Sequence, residues 1–298
     1  MRIYEDKHLN ANCIVMENNN LVLKVIPNLG FKMASIKYKN KEFLFQPSLL
    51  KYEIPKFMDN FSKYDTSGLD EMIPTIDSCI YEDKFLPDHG DVWSLPWDIN
   101  VQDEFIMGKV NLKSLPLSFE KRISFENENT IRMDYKVKNN SNEEQSYLWA
   151  LHGLNNFNDD TEIILPKHIN KVLDVIKNEI VEDEIENLQK LKLLKLYEDK
   201  KSYKFYILNE IENGECGLLY KDCNLKYTIR FDKNINPYLG LWITKGGFKG
   251  EYNCALEPSN GFYDSLIRAK SNNKYVKIMP LEEKMWTIYI EISTYGDK

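Results

Sequence analysis

The sequence lacks any long apolar run. None of its 298 residues lies in a stretch that approaches the roughly 18 consecutive apolar residues needed by a membrane helix. Residues 1–10 are charged, unlike the apolar segment of a secretory signal. These two absences predict a cytoplasmic protein with no membrane partner.

Cysteine is scarce and irregularly spaced. The five cysteines are odd in number and form no C-x-x-C pair. They are Cys13, Cys79, Cys216, Cys223 and Cys254. Neither a disulfide framework nor a zinc knuckle is therefore indicated. We expect buried or partly buried thiols, because free cysteine is usually interior.

Basic side chains are in the minority. The 39 lysines and arginines face 46 aspartates and glutamates, which gives a net charge of -7. This sign disfavours a protein that follows a phosphate backbone, so no nucleic-acid partner is expected. With 43% hydrophobic and 29% charged residues, the composition is globular and excludes wholesale disorder. The composition therefore leaves a soluble enzyme or a ligand-binding protein as the expected class of protein.

Helical periodicity is rare, whereas apolar residues alternate with a period of two along much of the chain. In residues 130–139 one side is apolar and carries Ile131, Met133, Tyr135 and Val137. Residues 115–125 alternate in the same way, and the polar stretch 126–129 predicts a β-hairpin between them. Similar alternation at 227–231 and 286–292 predicts an all-β fold, a large antiparallel β-sandwich with few short helices.

Only the segment 184–200 has clear helical spacing, and the acidic residues 182–184 would suit its first turn. A surface helix or lid is expected there. At about 150 residues per domain the length suggests two domains, although sandwiches of about 200–250 residues form one. Because no linker or repeat divides the chain, a single domain over residues 1–298 is favoured.

Histidine is also rare, with four in the chain. We expect His8 and His168 to be exposed polar residues. His89 lies in a loop, residues 86–97, with two tryptophans, two prolines and a glycine. Such a loop can present apolar faces beside a hydrogen-bonding group, as a sugar ring requires, or can simply be a packed loop with a structural histidine. His152 lies in the predicted strand 147–157, where it is either a functional residue or a satisfied core residue.

One glutamate has an unusual setting. Glu257 is framed by Ala255, Leu256 and Pro258, after a strand containing Trp242 and a glycine-rich loop. Partial desolvation there would raise its pKa towards the range of a general base. The alternative is an ordinary glutamate at a strand end.

In this order, six segments resemble the aldose 1-epimerase (galactose mutarotase-like) superfamily, particularly its uncharacterised bacterial branch. The segments are residues 30–45, 68–74, 87–97, 149–157, 241–258 and 281–286. No single motif is specific, but the ordered set covers most of the chain. The resemblance implies a one-domain galactose mutarotase-like supersandwich whose concave face binds a small-molecule carbohydrate.

The resemblance also implies an isomerase that interconverts α and β anomers of a sugar without a cofactor or metal. By position, His152 matches the general acid, Glu257 the general base, and His89 a histidine that binds the substrate and supports ring opening. The other residues expected to bind sugar are Asp70, Glu71, Trp93, Asn155 and Trp242. Asp70 and Glu71 could instead make structural hydrogen bonds.

The chain departs from the family pattern at two points. Sugar-phosphate mutarotases of the family carry an arginine shortly after the first His-Gly, where this sequence has Trp93-Ser94. This weakens the case for a phosphorylated sugar, although Lys245, Lys249 or Arg268 could supply positive charge. The aspartate that binds sugar hydroxyls in the family has no clear match, and Asp232 is a candidate.

Two other functions remain open from the sequence. The chain could be a non-catalytic carbohydrate-binding sandwich, or a polysaccharide lyase built on a similar sandwich, because fold alone does not fix chemistry. A metal site made by His89, His152 and Glu257 is disfavoured, since no two of them have local ligand spacing. A monomer or a homodimer is expected.

Overall fold

Strands with alternating apolar residues build two antiparallel sheets that pack face to face. The computed structural model describes residues 1–182 and 191–296, and within them one sheet has 12 strands and the other has 8. We call these the large sheet and the small sheet. Side chains from their facing surfaces form one apolar core, as expected for a sandwich.

The large sheet has the spatial order β1 (Arg2–His8), β2 (Ala11–Glu17), β3 (Leu21–Ile26), β4 (Lys32–Tyr38), β6 (Leu69–Met72), β14 (Ala150–Asn155), β22 (Tyr252–Ser259), β21 (Tyr238–Lys245), β18 (Lys201–Ile207), β16 (Lys171–Asp174) and β17 (Glu179–Glu182). The short strand β5 (Lys41–Glu42) pairs with β4. Each neighbouring pair in this sheet is antiparallel.

The small sheet has the order β15 (Thr161–Ile164), β19 (Glu215–Tyr220), β20 (Leu225–Phe231), β24 (Glu283–Thr294), β12 (Thr130–Asn139), β11 (Leu117–Asn127), β10 (Phe105–Asn111) and β9 (Asp98–Gln102). Two further pairs are β13 (Gln145–Tyr147) with β23 (Val276–Ile278), and β7 (Cys79–Tyr81) with β8 (Lys84–Leu86). Among the described residues, the helical elements with defined bounds are α1 (Leu266–Ser271) and the 3-10 turns Phe61–Lys63, Val92–Ser94 and Leu194–Leu196, and Leu191 and Lys192 are also helical.

The predicted hairpin is confirmed. Strands β11 and β12 pair antiparallel, from Leu117 opposite Asn139 to Asn127 opposite Thr130. The apolar side of β12 is buried in the core, while Asp134 on the opposite side is partly exposed and pairs with Arg132. The predicted all-β antiparallel sandwich is likewise confirmed.

The helix predicted for residues 184–200 falls partly outside the described residues. In the part that is described, Leu191 and Lys192 are helical, Leu194–Leu196 form a 3-10 turn, and residues 197–200 lead without helix into β18. Leu191 and Leu194 are buried. The predicted helix therefore does not extend to residue 200, and the apolar residue Leu194 packs into the core from a 3-10 turn.

The cysteines follow the expectation with one correction. Cys13, Cys216 and Cys254 are buried and Cys79 is partly buried. Cys223 is exposed because it lies in the tight turn between β19 and β20. Across the residues that the structure describes, no helix has both the length and the apolar character needed to cross a membrane.

Candidate functional site

A cavity of about 460 Å³ opens on the face of the large sheet that points away from the small sheet. Strands β14, β22, β21 and β18 contribute to it, together with the loops before β6 and on both sides of β7 and β8. Its lining residues are Asn60, Phe61, Ser62, Thr66, Met72, Ile76, Asp77, Ser78, Asp88, His89, His152, Leu154, Lys204, Trp242, Phe248, Asn253 and Glu257. Mixed apolar walls with a few converging polar groups are typical of small-molecule sites.

The strand register places His152 opposite Glu257. Ala150 pairs with Ser259 and Leu154 pairs with Ala255 on strands β14 and β22. His152 is two positions from Ala150 and Glu257 is two positions from Ser259, so the two residues are cross-strand neighbours. Both side chains line the cavity. Directly opposed side chains on one sheet face have Cβ atoms about 4.5–5.5 Å apart, close enough to act on one ligand.

Glu257 is a buried carboxyl group with space made for it by a glycine. A Cβ atom on Gly240, its cross-strand partner on β21, would lie 2.9 Å from Glu257 Oε2. Within the described residues that oxygen has no hydrogen-bond partner. Burial raises the pKa of Glu257, the cation of Lys204 opposes this, and the carboxylates of Asp264 and Asp77 add to it. A raised pKa makes this carboxylate a stronger base.

A second charged group, partly buried, lies beside Glu257. Lys204 Nζ is 2.6 Å from Asp264 Oδ1, and the Tyr206 hydroxyl donates to the same oxygen at 2.6 Å. Burial alone would lower the pKa of Lys204, but Asp264 and Glu257 outweigh it and raise the pKa. The cavity therefore holds an ammonium group that is paired with Asp264 and lies close enough to Glu257 for their charges to interact.

His152 is buried and unpaired. Burial lowers the pKa of its imidazole well below the ordinary value, and the nearby positive groups His89, Lys32 and Lys204 lower it further. Its Nδ1 atom has no hydrogen-bond partner among the described residues. An unpartnered imidazole nitrogen beside a cavity is free to exchange a proton with a ligand.

His89 is held at the cavity edge by its loop and by a stacked ring. Its φ of 59° is left-handed, its backbone N–H donates to Ile76 O at 2.6 Å, and its ring stacks on Phe61 at 4.0 Å. The next residue is Gly90. A Cβ atom at this position would lie 2.1 Å from Ile73 O, so only glycine fits there. The His89 Nδ1 atom is 3.0 Å from Asp88 Oδ1, and the ring centroid is 5.1 Å from that of His152.

The tryptophans predicted to bind sugar take different positions. Trp242 is partly exposed and lines the cavity, where its ring meets Phe248 edge-on at 5.9 Å. Trp93 is buried behind Phe61, with ring centroids 5.0 Å apart, and its Nε1 donates to Asp88 O. Trp93 thus supports the cavity wall from behind. The aromatic surface that lines the cavity here belongs to Phe61 and not to Trp93.

Asp70 lies on the cavity side of β6 but beneath the lining. It is the cross-strand partner of His152 on β14, and its Oδ2 accepts from Lys32 Nζ at 2.6 Å. Its other oxygen, Oδ1, has no hydrogen-bond partner among the described residues. The side chain is 2% exposed and does not line the cavity.

The structure does not bring Glu71 or Asn155 to the cavity. Glu71 lies on the opposite face of β6, where it accepts hydrogen bonds from Lys121 Nζ at 2.7 Å, Tyr135 OH at 3.0 Å and Trp149 Nε1 at 2.8 Å. Asn155 is fully buried and its Nδ2 donates to Phe43 O. Successive strand residues face opposite sides, so these two residues point into the core.

The other charged candidates also lie outside the lining. Lys245 is near Asp159 and Asp199, at 3.8 and 3.6 Å. Lys249 donates to Tyr64 O. Asp232 lies in an exposed turn, where its Oδ1 accepts from the Asn234 backbone N–H. Arg268 lies in an adjoining recess described below.

The residues of the site that were not predicted from the sequence include Lys204, Asp264 and Phe61, which carry most of its charge and aromatic surface beside the predicted residues. The alternation of β18 carried a signal for Lys204, since Lys204 and Tyr206 share one face while Tyr203 and Phe205 share the other. Phe61 and Asp264 lie in loops, and no local pattern marks them. In the described ranges, 1–182 and 191–296, no group of three or more His, Cys, Asp and Glu residues could hold a metal ion.

Comparison with solved structures identifies the fold. A proposed aldose 1-epimerase from Klebsiella pneumoniae superposes with a TM-score of 0.77 at 13% identity, covering 98% of this chain and 82% of that one. A galactose mutarotase-like protein from Clostridium acetobutylicum gives 0.73 at 15% identity, with 98% of each chain covered. A galactose mutarotase-like protein from Lactobacillus casei gives a TM-score of 0.70 at 15% sequence identity, covering 94% of this chain and 100% of that one.

The chain has the galactose mutarotase-like fold, as its sequence resemblance implies. No family model matches the sequence, and no curated protein is significantly similar to it. The function must therefore be argued from the site.

Proposed function

We propose that this protein is an aldose 1-epimerase-like isomerase that interconverts the α and β anomers of a sugar. The observation that carries the proposal is the placement of His152 and Glu257 opposite each other in one cavity. Anomer exchange requires one proton to leave the C1 hydroxyl and another to reach the ring oxygen. A base and an acid a few ångströms apart on one sheet face supply both transfers.

In the proposed reaction, the Glu257 carboxylate takes the proton of the C1 hydroxyl. The C1–ring oxygen bond breaks as the C1 carbonyl forms, and the ring oxygen takes a proton from His152. Rotation about the C1–C2 bond then presents the other face of the aldehyde. On closure the attacking hydroxyl returns its proton to His152, and Glu257 returns its proton to the carbonyl oxygen, so the enzyme ends as it began.

The proposal requires one proton to be shared by the two groups. Burial raises the pKa of Glu257 and lowers that of His152, so the protein surroundings work against the charged form of each group. Lys204 stabilises the Glu257 carboxylate that the proposed reaction needs, although its charge also disfavours a charged imidazole at His152.

Three further residues would hold the sugar. The partly exposed ring of His89 can bond a hydroxyl through the nitrogen that does not face Asp88. Trp242 provides an aromatic surface for the C–H face of the ring. Lys204, already bonded to Asp264, can donate a further hydrogen bond to a hydroxyl beside C1.

The test is the exchange of anomers in free sugars, measured by magnetisation-transfer NMR or polarimetry on a panel of aldoses. We expect acceleration over the water reaction, and a loss of about 10²–10⁴-fold in both His152→Ala and Glu257→Gln. A matched control is the exposed pair His168 and Glu212, 2.6 Å apart on the surface. His168→Ala and Glu212→Gln should keep full activity.

Four results would contradict the proposal. The first is no acceleration with any sugar, and the second is full activity in both site variants. The third is sugar binding, seen as quenching of tryptophan fluorescence, without any anomer exchange, which would identify a carbohydrate-binding protein. Release of an unsaturated product that absorbs in the ultraviolet would indicate a lyase instead.

A further inference from the structure

A second recess adjoins the cavity. It has a volume of about 600 Å³ and lies between the β16–β17 hairpin and the loop that leads into α1. Asp77 lines both spaces. The wall between them also contains the Lys204–Asp264 ion pair, because Lys204 lines the cavity and Asp264 lines the recess.

This wall is fixed by the backbone. The N–H groups of Ile76 and Asp77 both donate to Asp264 O, at 2.9 and 2.8 Å. The residue before Asp264 in the chain, Tyr263, lines the recess. A ligand that passes over Asp77 therefore leaves the cavity and meets Tyr263 directly.

The recess carries side chains suited to a sugar ring. Tyr263 is partly exposed, and the Arg268 guanidinium lies 5.1 Å from its ring centroid, which holds the ring in place. Asn178 and Asn272 add exposed amides. Within the described part of the chain, the Asn178, Asn272 and Arg268 side chains have no hydrogen-bond partner. An aromatic surface among free planar donors and acceptors can bind a pyranose.

We propose that the recess is a second sugar subsite, and that the substrate is a reducing oligosaccharide of at least two rings. This inference rests on the proposed function. The reducing-end ring, with its free anomeric carbon, occupies the cavity beside His152 and Glu257. Its glycosidic neighbour crosses Asp77 and lies against Tyr263, with hydroxyls facing Arg268 and the two asparagines.

The charge of the recess favours a neutral sugar over a phosphate. Arg268 is the cation of its lining, whereas Asp77 and Asp264 are carboxylates. A phosphate placed there would gain one ion pair and face two like charges. A sugar hydroxyl can donate to the carboxylates and accept from the guanidinium, so it uses all three groups.

The experiment compares reducing disaccharides with their own reducing-end monosaccharides: maltose and cellobiose with glucose, and melibiose with glucose. Equilibrium binding is measured by calorimetry and anomer exchange by NMR. We expect one of the disaccharides to bind about tenfold more tightly than glucose, and Tyr263→Ala to remove that advantage while leaving glucose unchanged. Arg268→Ala should reduce it in part, and the exposed control Tyr295→Ala should have no effect.

The outcomes separate this inference from the proposed function. Disaccharide binding that depends on Tyr263 but produces no anomer exchange would retain the subsite and overturn the catalysis. Anomer exchange of glucose with no gain for any disaccharide, or an equal loss for both sugars in Tyr263→Ala, would overturn the subsite. A larger gain for glucose 6-phosphate than for any disaccharide, lost in Arg268→Ala, would show an anion site and would also overturn it.

Discussion

His152 and Glu257 are cross-strand neighbours on β14 and β22, with both side chains on the face that carries the cavity. The next strand on the other side, β6, places Asp70 opposite His152. The acid and base of the proposed reaction are therefore held by a continuous sheet and not by loops. A sheet fixes the spacing of such a pair within a narrow range, which general acid–base catalysis requires.

The pH dependence of catalysis should be bell-shaped, because the pair needs one proton and loses activity with two or with none. Burial lowers the pKa of His152, so the acid limb should lie below the ordinary imidazole pKa of about 6.5. Burial raises the pKa of Glu257, so the alkaline limb should lie above the ordinary carboxyl pKa of about 4.3. Profiles of kcat/KM against pH, corrected for spontaneous exchange, check this; a rate independent of pH would contradict it.

Two charge variants should move the alkaline limb in opposite directions. The Lys204 cation lowers the pKa of Glu257 and the Asp77 carboxylate raises it. Lys204→Met should therefore shift the alkaline limb to higher pH, and Asp77→Asn should shift it to lower pH. Lys204→Arg keeps the charge and is the control. Shifts of the same sign in Lys204→Met and Asp77→Asn would show that Glu257 does not set this limb.

Lys204→Met should also reduce stability. Asp264 Oδ1 is contacted by Lys204 and Tyr206, and this substitution leaves the buried carboxylate with only the Tyr206 hydroxyl of these two partners. Breaking a buried ion pair by removing one partner typically costs about 3–5 kcal/mol, and the figure here should be lower because Lys204 is partly exposed. Urea unfolding followed by circular dichroism gives the change, and pH profiles must be measured where the variant remains folded.

Gly240→Ala should reduce activity more than stability. The new Cβ would lie 2.9 Å from Glu257 Oε2 and 3.3 Å from Tyr206 Cε1. The flexible end of the glutamate can move aside at little cost to the fold, but its carboxylate would leave the reacting position. A displacement of about 1 Å can cost about 100-fold in rate.

Gly153→Ala on β14 is the matched control for Gly240→Ala, because its Cβ would meet Leu69 in the core and not the cavity. It should lower the midpoint of thermal unfolding and leave kcat nearly unchanged in the folded protein. Equal effects of the two variants on kcat and on the midpoint would show that Gly240 has a packing role alone.

Much of the fold could be predicted because alternation in single strands, such as 130–139, is decided by the side chains themselves. The residues of the site were harder to predict from the sequence. His89, His152 and Glu257 stand out by residue type, but their meeting depends on the long-range pairing of β14 with β22. Phe61 stacks on His89 from a separate part of the chain, and no local sequence pattern predicts the conformation that brings the two rings together.

Strand parity in the sequence decides which of the predicted residues can face the cavity together. Asp70 and Glu71 are consecutive in β6, so at most one of them could face the cavity. Asn155 is three positions from His152 in β14, which also puts it on the opposite face. The same alternation would have pointed to Lys204 on β18.

Glu71 should matter for stability and not for sugar binding. Its carboxylate joins the two sheets, because Lys121 on β11 and Tyr135 on β12 both donate to it. Lys121 is fully buried, so Lys121→Met would leave an uncompensated buried carboxyl group. The expected cost is about 3–5 kcal/mol in the free energy of unfolding.

The double variant Glu71→Leu with Lys121→Met removes both charges and should recover part of that loss, but not all of it, because the buried Tyr135 OH and Trp149 Nε1 lose their acceptor. Its affinity for sugar, measured at a temperature where it is folded, should equal that of the unaltered protein because neither residue reaches the cavity. Restored stability with lost sugar affinity would instead place Glu71 in the binding site, as its sequence position beside Asp70 suggested.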